Sequence, residues 1–499
     1  MKLELPDAFL QEMKDMFRTF GRTSEWPAFL ASFTEPAEGG LRANGLKIKV
    51  HDLLPLLAEA LGLLPEAFKP VPWSADGLYL PAGCQPGRLP LYAAGLYYIQ
   101  EPSAMLPANV LAARPGERIL DLCAAPGGKT CRIAADLQGE GLIWANEISA
   151  DRARALLRNV ELTGCANCVI TQETPERLAA RLPEYFDRIL VDAPCSGSGM
   201  FRRDPSAVQS WKAYGSAHCV NMQQGILRAA WPMLRPGGTL VYSTCTFSIA
   251  ENEAMIAWLL DEYPDCRLLP IGKAPGVSDG LPLRPELSGT ARIWPHLATG
   301  DGHFCALVQK IPAAAFKAPQ AAEILDEQAA IKQSDAAWAE FRSFCRDNLS
   351  PAGNRRIQEK SQAGSLRIER DCLHILPPGF QLPPALKLVK TGLFLGQVKT
   401  LRDGRQIYEP SPAFILSLAA EDLLFRAGGP PFSDLVRRYL RGETLAWPVS
   451  AAGIAPGRYA AVTLTGGEGF PSEWPLGWVK TQPPSMLKNL YPQAWRRQI

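Results

Sequence analysis

Through the middle of the chain, short apolar runs alternate with longer stretches that carry helical spacing. Ile119 to Leu122, Leu142 to Asn146, Cys168 to Thr171, Arg188 to Val191, Thr239 to Ser243 and Phe304 to Val308 read as buried strands. Lys129 to Leu137, Ala150 to Thr163 and Ala217 to Leu234 read as the helices between them. Alternation of this kind predicts an α/β unit with a parallel, doubly wound sheet from about 96 to 310. Upstream, residues 1–95 form a small α/β region, with amphipathic helices over Pro6 to Phe20 and Leu53 to Leu61 and a strand over Gly45 to Val50. Ser248-Ile249-Ala250-Glu251 has the spacing of a capping box and predicts a helix start. An Ala- and Pro-rich stretch from Ile311 to Ala322 reads as a linker. Beyond it, 323–435 mixes a helix (Ala336 to Asn348) with short strands, and 440–499 is strand-like and rich in Gly, Pro and Trp.

A chain of 499 residues has room for two to four such units. Its formal net charge of +2 does not announce a nucleic-acid binder, although an average hides any basic face. The twelve cysteines are scattered, no apolar leader opens the chain and no run of 18 apolar residues suggests a membrane span. Free thiols in a reducing cytoplasm, with no membrane attachment, are therefore expected. Cys165-Ala166-Asn167-Cys168 has metal-ligand spacing but no second pair at zinc distance, so no metal is expected.

Two of those cysteines stand apart. Cys195, in Asp192-Ala193-Pro194-Cys195-Ser196-Gly197, and Cys245, in Tyr242-Ser243-Thr244-Cys245-Thr246, each follow a predicted strand. The carboxyl ends of parallel strands are where ligands collect, so the two thiols are expected to face one substrate. One ionised thiol can add to electron-poor carbon while another moves a proton. Asp121 to Thr130 follows the first strand and opens a helix, with Gly127 and Gly128 letting a ligand approach the backbone. A P-loop would need Gly where Cys123 stands, and no G-x-G-x-x-G is present. Glu147, at the end of the second strand, can accept hydrogen bonds from ribose hydroxyls, which suits an adenosine-bearing cofactor. His218, His296 and His303 stand alone and are expected to be structural or on the surface. Arg202 and Arg203, after a glycine loop, are candidates for phosphate contact. In the tail, Trp478, Lys480, Lys488, Tyr491, Trp495, Arg496 and Arg497 interleave rings with charge, the composition of either an RNA-stacking face or an aromatic core with a charged rim.

Cys123 to Thr130, Asp192 to Gly197 and Ser243 to Thr246, in that order, resemble the Nop/Sun family of RNA cytosine-5 methyltransferases. Gly40-Leu41-Arg42-Ala43-Asn44 and Tyr98-Ile99-Gln100-Glu101-Pro102-Ser103 add to the resemblance. Asp192 to Pro205 and the tail segments Pro475 to Trp478 and Leu487 to Pro492 are similar to its ribosomal small-subunit methyltransferase F branch. The resemblance implies a Rossmann-like core that uses S-adenosylmethionine, an N-terminal RNA-binding region and C-terminal RNA-binding domains that include a PUA-like unit. It also implies roles: Cys245 adds to C6 of cytosine, Cys195 helps remove the C5 proton, and Asp192 contacts the ring near N3 and the cofactor. Cys123, Ala124, Ala125, Pro126, Gly127, Gly128 and Lys129, with Glu147 and Asp192, would line the cofactor site. After the third strand the family offers an acid or amide to adenine; Thr174 stands there, beside Glu173. The implied substrate is 16S ribosomal RNA in the small subunit, and nothing in the sequence demands more than a monomer. A transfer-RNA or DNA cytosine methyltransferase and a catalytically idle ribosome-assembly factor are the alternatives.

Overall fold

The computed structural model describes residues 4–312, 335–363, 366–369, 371–380, 383, 385–446, 454–466, 472–483 and 486–496. Most of the linker expected over Ile311 to Ala322, the first residues of the 323–435 segment and Arg497 lie outside them.

The core strands are β1 (Arg118–Asp121), β2 (Leu142–Asn146), β3 (Cys168–Thr171), β4 (Phe186–Asp192), β5 (Leu234–Thr244) and β6 (His303–Lys310). Their spatial order is β3-β2-β1-β4-β5-β6. The first five run parallel and β6 returns antiparallel to β5. The chain order reverses between β1 and β4, which opens a crevice at their carboxyl ends. Ile119, Leu120, Ile143, Trp144, Ile189, Leu190, Leu240 and Val241 are wholly buried, as expected for strands covered on both faces. Helices α1 (Gly128–Leu137), α2 (Ala150–Thr163), α3 (Pro205–Met233) and α4 (Glu253–Glu262) supply the covering layers. This is the doubly wound α/β core that the alternating pattern predicts and the Rossmann-like core that the resemblance implies.

Three local expectations change. The strand expected over Gly45 to Val50 lies instead at Gly40–Ala43, between Ser74–Tyr79 and Tyr97–Ile99; Val50 already opens a helix that runs to Leu61. Glu251 does not cap a helix at Ser248, because its carboxylate is turned onto Ser196 and α4 starts only at Glu253. The long helix α3 begins at Pro205 rather than Ala217 and breaks at Gly215, whose φ is +63°.

The ends of the chain are built into this frame. Strand Leu388–Thr391 pairs antiparallel with β3 and extends the core sheet at its edge. A separate sheet of Arg426–Gly429, Tyr459–Thr465, Glu473–Gln482, Met486–Asn489 and Leu445–Ala446 shares one apolar core with the N-terminal region: Leu41, Leu53, Leu57 and Tyr97 pack in the same cluster as Tyr439, Leu476 and Tyr491. No described helix is long and apolar enough to cross a membrane.

Candidate active site

β4 and β5 lie side by side with Asp192 opposite Ser243, so their loops leave the sheet together. Cys195 Sγ and Cys245 Sγ are 3.3 Å apart, within hydrogen-bond range for sulfur. Two sets of contacts hold this approach. Ser196 and Ser198 hydroxyls meet the Thr246 hydroxyl at 2.8 and 3.0 Å. The Gly199 N–H donates to the Cys245 carbonyl at 2.9 Å, and a Cβ on Gly199 would stand 2.7 Å from that oxygen. Behind the loops, Glu251 accepts from the Ser196 N–H (2.9 Å), the Ser196 hydroxyl (2.5 Å) and Gln223 Nε2 (2.9 Å). Gln223 also donates to the Pro194 carbonyl at 2.9 Å. On the other side, Asn252 donates to the Thr246 carbonyl, and the buried pair Arg292–Glu253 places an Arg292 nitrogen on the Phe247 carbonyl. The hydrogen bond to Cys245, followed by burial, pushes the Cys195 thiol well above the ordinary range. Either sulfur can donate across the gap between them.

Beside the thiols, Asp192 accepts from Lys129 Nζ at 2.6 Å and from Ser243 Oγ at 2.7 Å. Burial alone would raise this carboxyl, but Lys129 and His303 outweigh it and hold it below the usual carboxylate range. His303 Nε2 stands 3.6 Å from Asp192 Oδ1, in ion-pair range but beyond a hydrogen bond. Burial opposes charge on Lys129 too, and Asp192 overcomes it. The result is an ion pair at the mouth of the crevice whose carboxylate is ionised at neutral pH.

The loop from Cys123 to Gly127 joins β1 to α1. Gly127 has φ +110°, and a Cβ on Gly128 would stand 2.9 Å from the Tyr98 ring, so both glycines are required by the fold. The loop carbonyls are gripped from outside. Arg42 reaches the Gly128 oxygen at 2.6 Å, Asn159 that of Pro126 at 2.8 Å and Arg152 that of Ala125 at 3.0 Å. Arg42 also donates to Gln100 Oε1 at 2.9 Å, so the two upstream motifs converge on the loop. Cys123 is not a candidate nucleophile, because burial and then Asp121 push its thiol up. Glu147 is buried at the end of β2, accepting from the Ser149 N–H at 2.9 Å with Arg152 at 3.3 Å. Asp121, at the tip of β1, accepts from Thr130 Oγ1 at 2.7 Å, while its other oxygen is buried without a hydrogen-bond partner among the described residues. A close-approach glycine turn, a buried acid at the second strand end and an unfilled carboxylate oxygen suit a polar, nucleoside-bearing ligand.

Other sequence candidates fall elsewhere. The Thr174 hydroxyl caps the short helix that starts at Pro175, accepting from the Arg177 N–H at 3.4 Å. Glu173 is taken by the Lys387 N–H and Arg177. Arg202 and Arg203 both bind Asp301, and the Arg202 side chain is 7% exposed, which spends it on the fold rather than on phosphate. Trp478 and Tyr491 are core residues, Lys480 lies over the Tyr459 ring, and Lys488 is exposed on the rim. Among the described residues no three His, Cys, Asp or Glu side chains gather as metal ligands. His296 bonds Glu25 within an aromatic cluster, as a structural histidine should. His303 does not fit that description. Its neighbour Asp192 is more than a hundred positions away in sequence, and only the return of β6 brings them together.

Comparison with known proteins agrees with this geometry. Residues 108–309 match the family model described as 16S rRNA methyltransferase RsmB/F, and residues 5–102 match that for the N-terminal domain of 16S rRNA methyltransferase RsmF. The chain is 39% identical over 317 residues to the ribosomal RNA small subunit methyltransferase F of Escherichia coli O7:K1, an alignment that covers 62% of this chain and 64% of that protein. A protein of the same name from Escherichia fergusonii is similar at 39% over the same shares. The chain thus spans just under two thirds of the length of these relatives. Among solved structures, a methyltransferase homolog protein from Pyrococcus horikoshii is 30% identical, with a TM-score of 0.51 over 62% of this chain and all of that one. NSun6 from the same organism, solved with SFG, shares the fold at 22% identity, with a TM-score of 0.51 over 63% of this chain and all of that one.

Proposed function

Because the chain belongs to the 16S rRNA methyltransferase RsmB/F family, we propose that it transfers a methyl group from S-adenosylmethionine to C5 of cytosine in small-subunit ribosomal RNA. The observation that carries the reading is the pair of thiols at 3.3 Å beside an ionised Asp192–Lys129 pair. Glu147, Asp121 and the loop from Cys123 to Lys129 would hold the cofactor, which supplies an electrophilic methyl group when bound.

The target base must leave its stack, because thiol attack comes perpendicular to the ring. Cys245, its thiol proton given up to water, forms an Sγ–C6 bond as the C5=C6 π bond opens, and the electron pair makes C5 nucleophilic. Ionised Asp192 accepts a hydrogen bond from the exocyclic amine at C4 and so orients the ring. Bonding to C6 takes Cys245 out of its hydrogen bond with Cys195, the largest cause of the raised Cys195 thiol. Cys195 can then lose its proton to water, and its thiolate takes the C5 proton once the methyl is in place. C5=C6 re-forms as the C6–S bond breaks, which returns Cys245 as a thiolate.

The test is incubation with methyl-labelled S-adenosylmethionine and small ribosomal subunits, followed by digestion to nucleosides. Label should appear in 5-methylcytidine. Cys245→Ala should abolish both label and covalent adduct, whereas Cys195→Ala should accumulate a denaturation-resistant protein–RNA adduct. Adduct in Cys245→Ala alone reverses the assignment, and label in another nucleoside sinks the mechanism.

A further inference from the structure

We propose that His303 is a catalytic residue: resting on the methylation reading above, its imidazole N–H donates to the acceptor edge (O2 and N3) of the cytosine held beside Asp192. The first observation is an unsatisfied group. His303 is 4% exposed, and neither ring nitrogen has a hydrogen-bond partner among the described residues. A buried polar group left this way costs about 1–3 kcal/mol, so in a folded protein it asks for a ligand.

The second observation is place. β6 pairs Phe304 with Thr244, which sets His303 one step further along, level with Cys245. Gly302 just before it has φ +107°, and a Cβ there would stand 2.5 Å from the Phe247 ring. The point at which His303 leaves the sheet is therefore fixed by packing, and its Nε2 is 3.6 Å from Asp192.

The third is a chemical need. Addition of sulfur at C6 moves negative charge onto N3 and O2, and a preorganised donor aimed at developing charge is worth about 10²–10³ in rate. Asp192, held as an anion, only accepts. Two groups beside Asp192 can donate: Lys129, whose ammonium is drawn onto Asp192 at 2.6 Å, and His303, which stands 3.6 Å from Asp192 and makes no hydrogen bond among the described residues.

The test uses full-length protein, saturating S-adenosylmethionine and RNA carrying 5-fluorocytidine at the target, where fluorine blocks elimination and traps the adduct. His303→Phe keeps ring volume and loses the donor; His303→Gln keeps a donor. The Phe variant should form adduct about 100-fold more slowly, with S-adenosylmethionine affinity and thermal midpoint close to wild type. The Gln variant should recover about tenfold of that loss. Adduct formation by the Phe variant within about threefold of wild type overturns the inference, as does a Gln variant no better than Phe with both losing cofactor affinity. A wild type that forms no adduct overturns the methylation reading and this inference with it.

Discussion

Two aspartates at neighbouring strand ends are shifted in opposite directions, and their surroundings explain why. Asp192 has an ammonium at 2.6 Å and a hydroxyl at 2.7 Å. Asp121 has chiefly the Thr130 hydroxyl, and burial pushes its carboxyl up to about 7. An unfolded aspartate titrates near 3.9, so the native state holds the Asp121 proton more tightly. The stability this supplies is complete below about pH 4 and is lost as pH rises towards 7. In urea denaturation, Asp121→Asn should therefore gain on wild type across that window, by roughly 2–4 kcal/mol, and track it outside. A constant difference from pH 4 to 8 would show Asp121 ionised in the fold. Cys195, Cys245, Asp192 and Lys129 were legible in the sequence because each sits inside a local motif at a strand end. His303 and Glu251 were not, because their partners lie 111 and 55 positions away and the pairing exists only after β4, β5 and β6 align.

At the scale of elements, the glycine loop is held from outside as much as by its own turn. Arg42 comes from the strand Gly40–Ala43 and Gln100 follows the strand Tyr97–Ile99, and both meet at Gly128. The N-terminal sheet is thus a buttress for the crevice. Arg42 is buried and also faces Asp76 at 3.5 Å; Arg42→Ala removes its charged hydrogen bonds to the loop, while Asp76 keeps Arg132 at 2.5 Å. Losing a charge-assisted bond of about 1.5–3 kcal/mol should weaken S-adenosylmethionine binding about tenfold or more in calorimetry. Affinity within twofold of wild type would mean that the loop keeps its shape unaided. Helix and strand types in the core could be read from periodicity alone. The misplaced strand at Gly45 to Val50 came from apolar alternation in Leu46-Lys47-Ile48-Lys49-Val50, where Lys47 is in fact drawn in to donate to the carbonyls of Ala94 and Leu162. Burial without a counter-charge lowers that ammonium to about 7, which no pattern of hydrophobic positions could signal.

For the molecule as a whole, segments far apart in sequence finish one another's cores. Leu388–Thr391 closes the edge of β3, Phe380 packs edge-on against Trp144 at 5.6 Å, and the Lys387 N–H ties Glu173. A protein cut after residue 312 should therefore lose the cover of Trp144 and expose an unpaired strand. It should aggregate in light scattering and bind S-adenosylmethionine more weakly than the full chain; a soluble, fully competent fragment would show that the edge strand is dispensable. The closing strand also sets a timetable. Thr171 and Leu388, which pair, are separated by about 217 residues of synthesis, which at roughly 5–20 residues per second amounts to some 10–40 s. Throughout that interval the nascent protein offers the open β3 edge to any passing strand. The yield of folded protein is then governed by how quickly translation delivers the last part of the chain and by what shields the edge until it arrives.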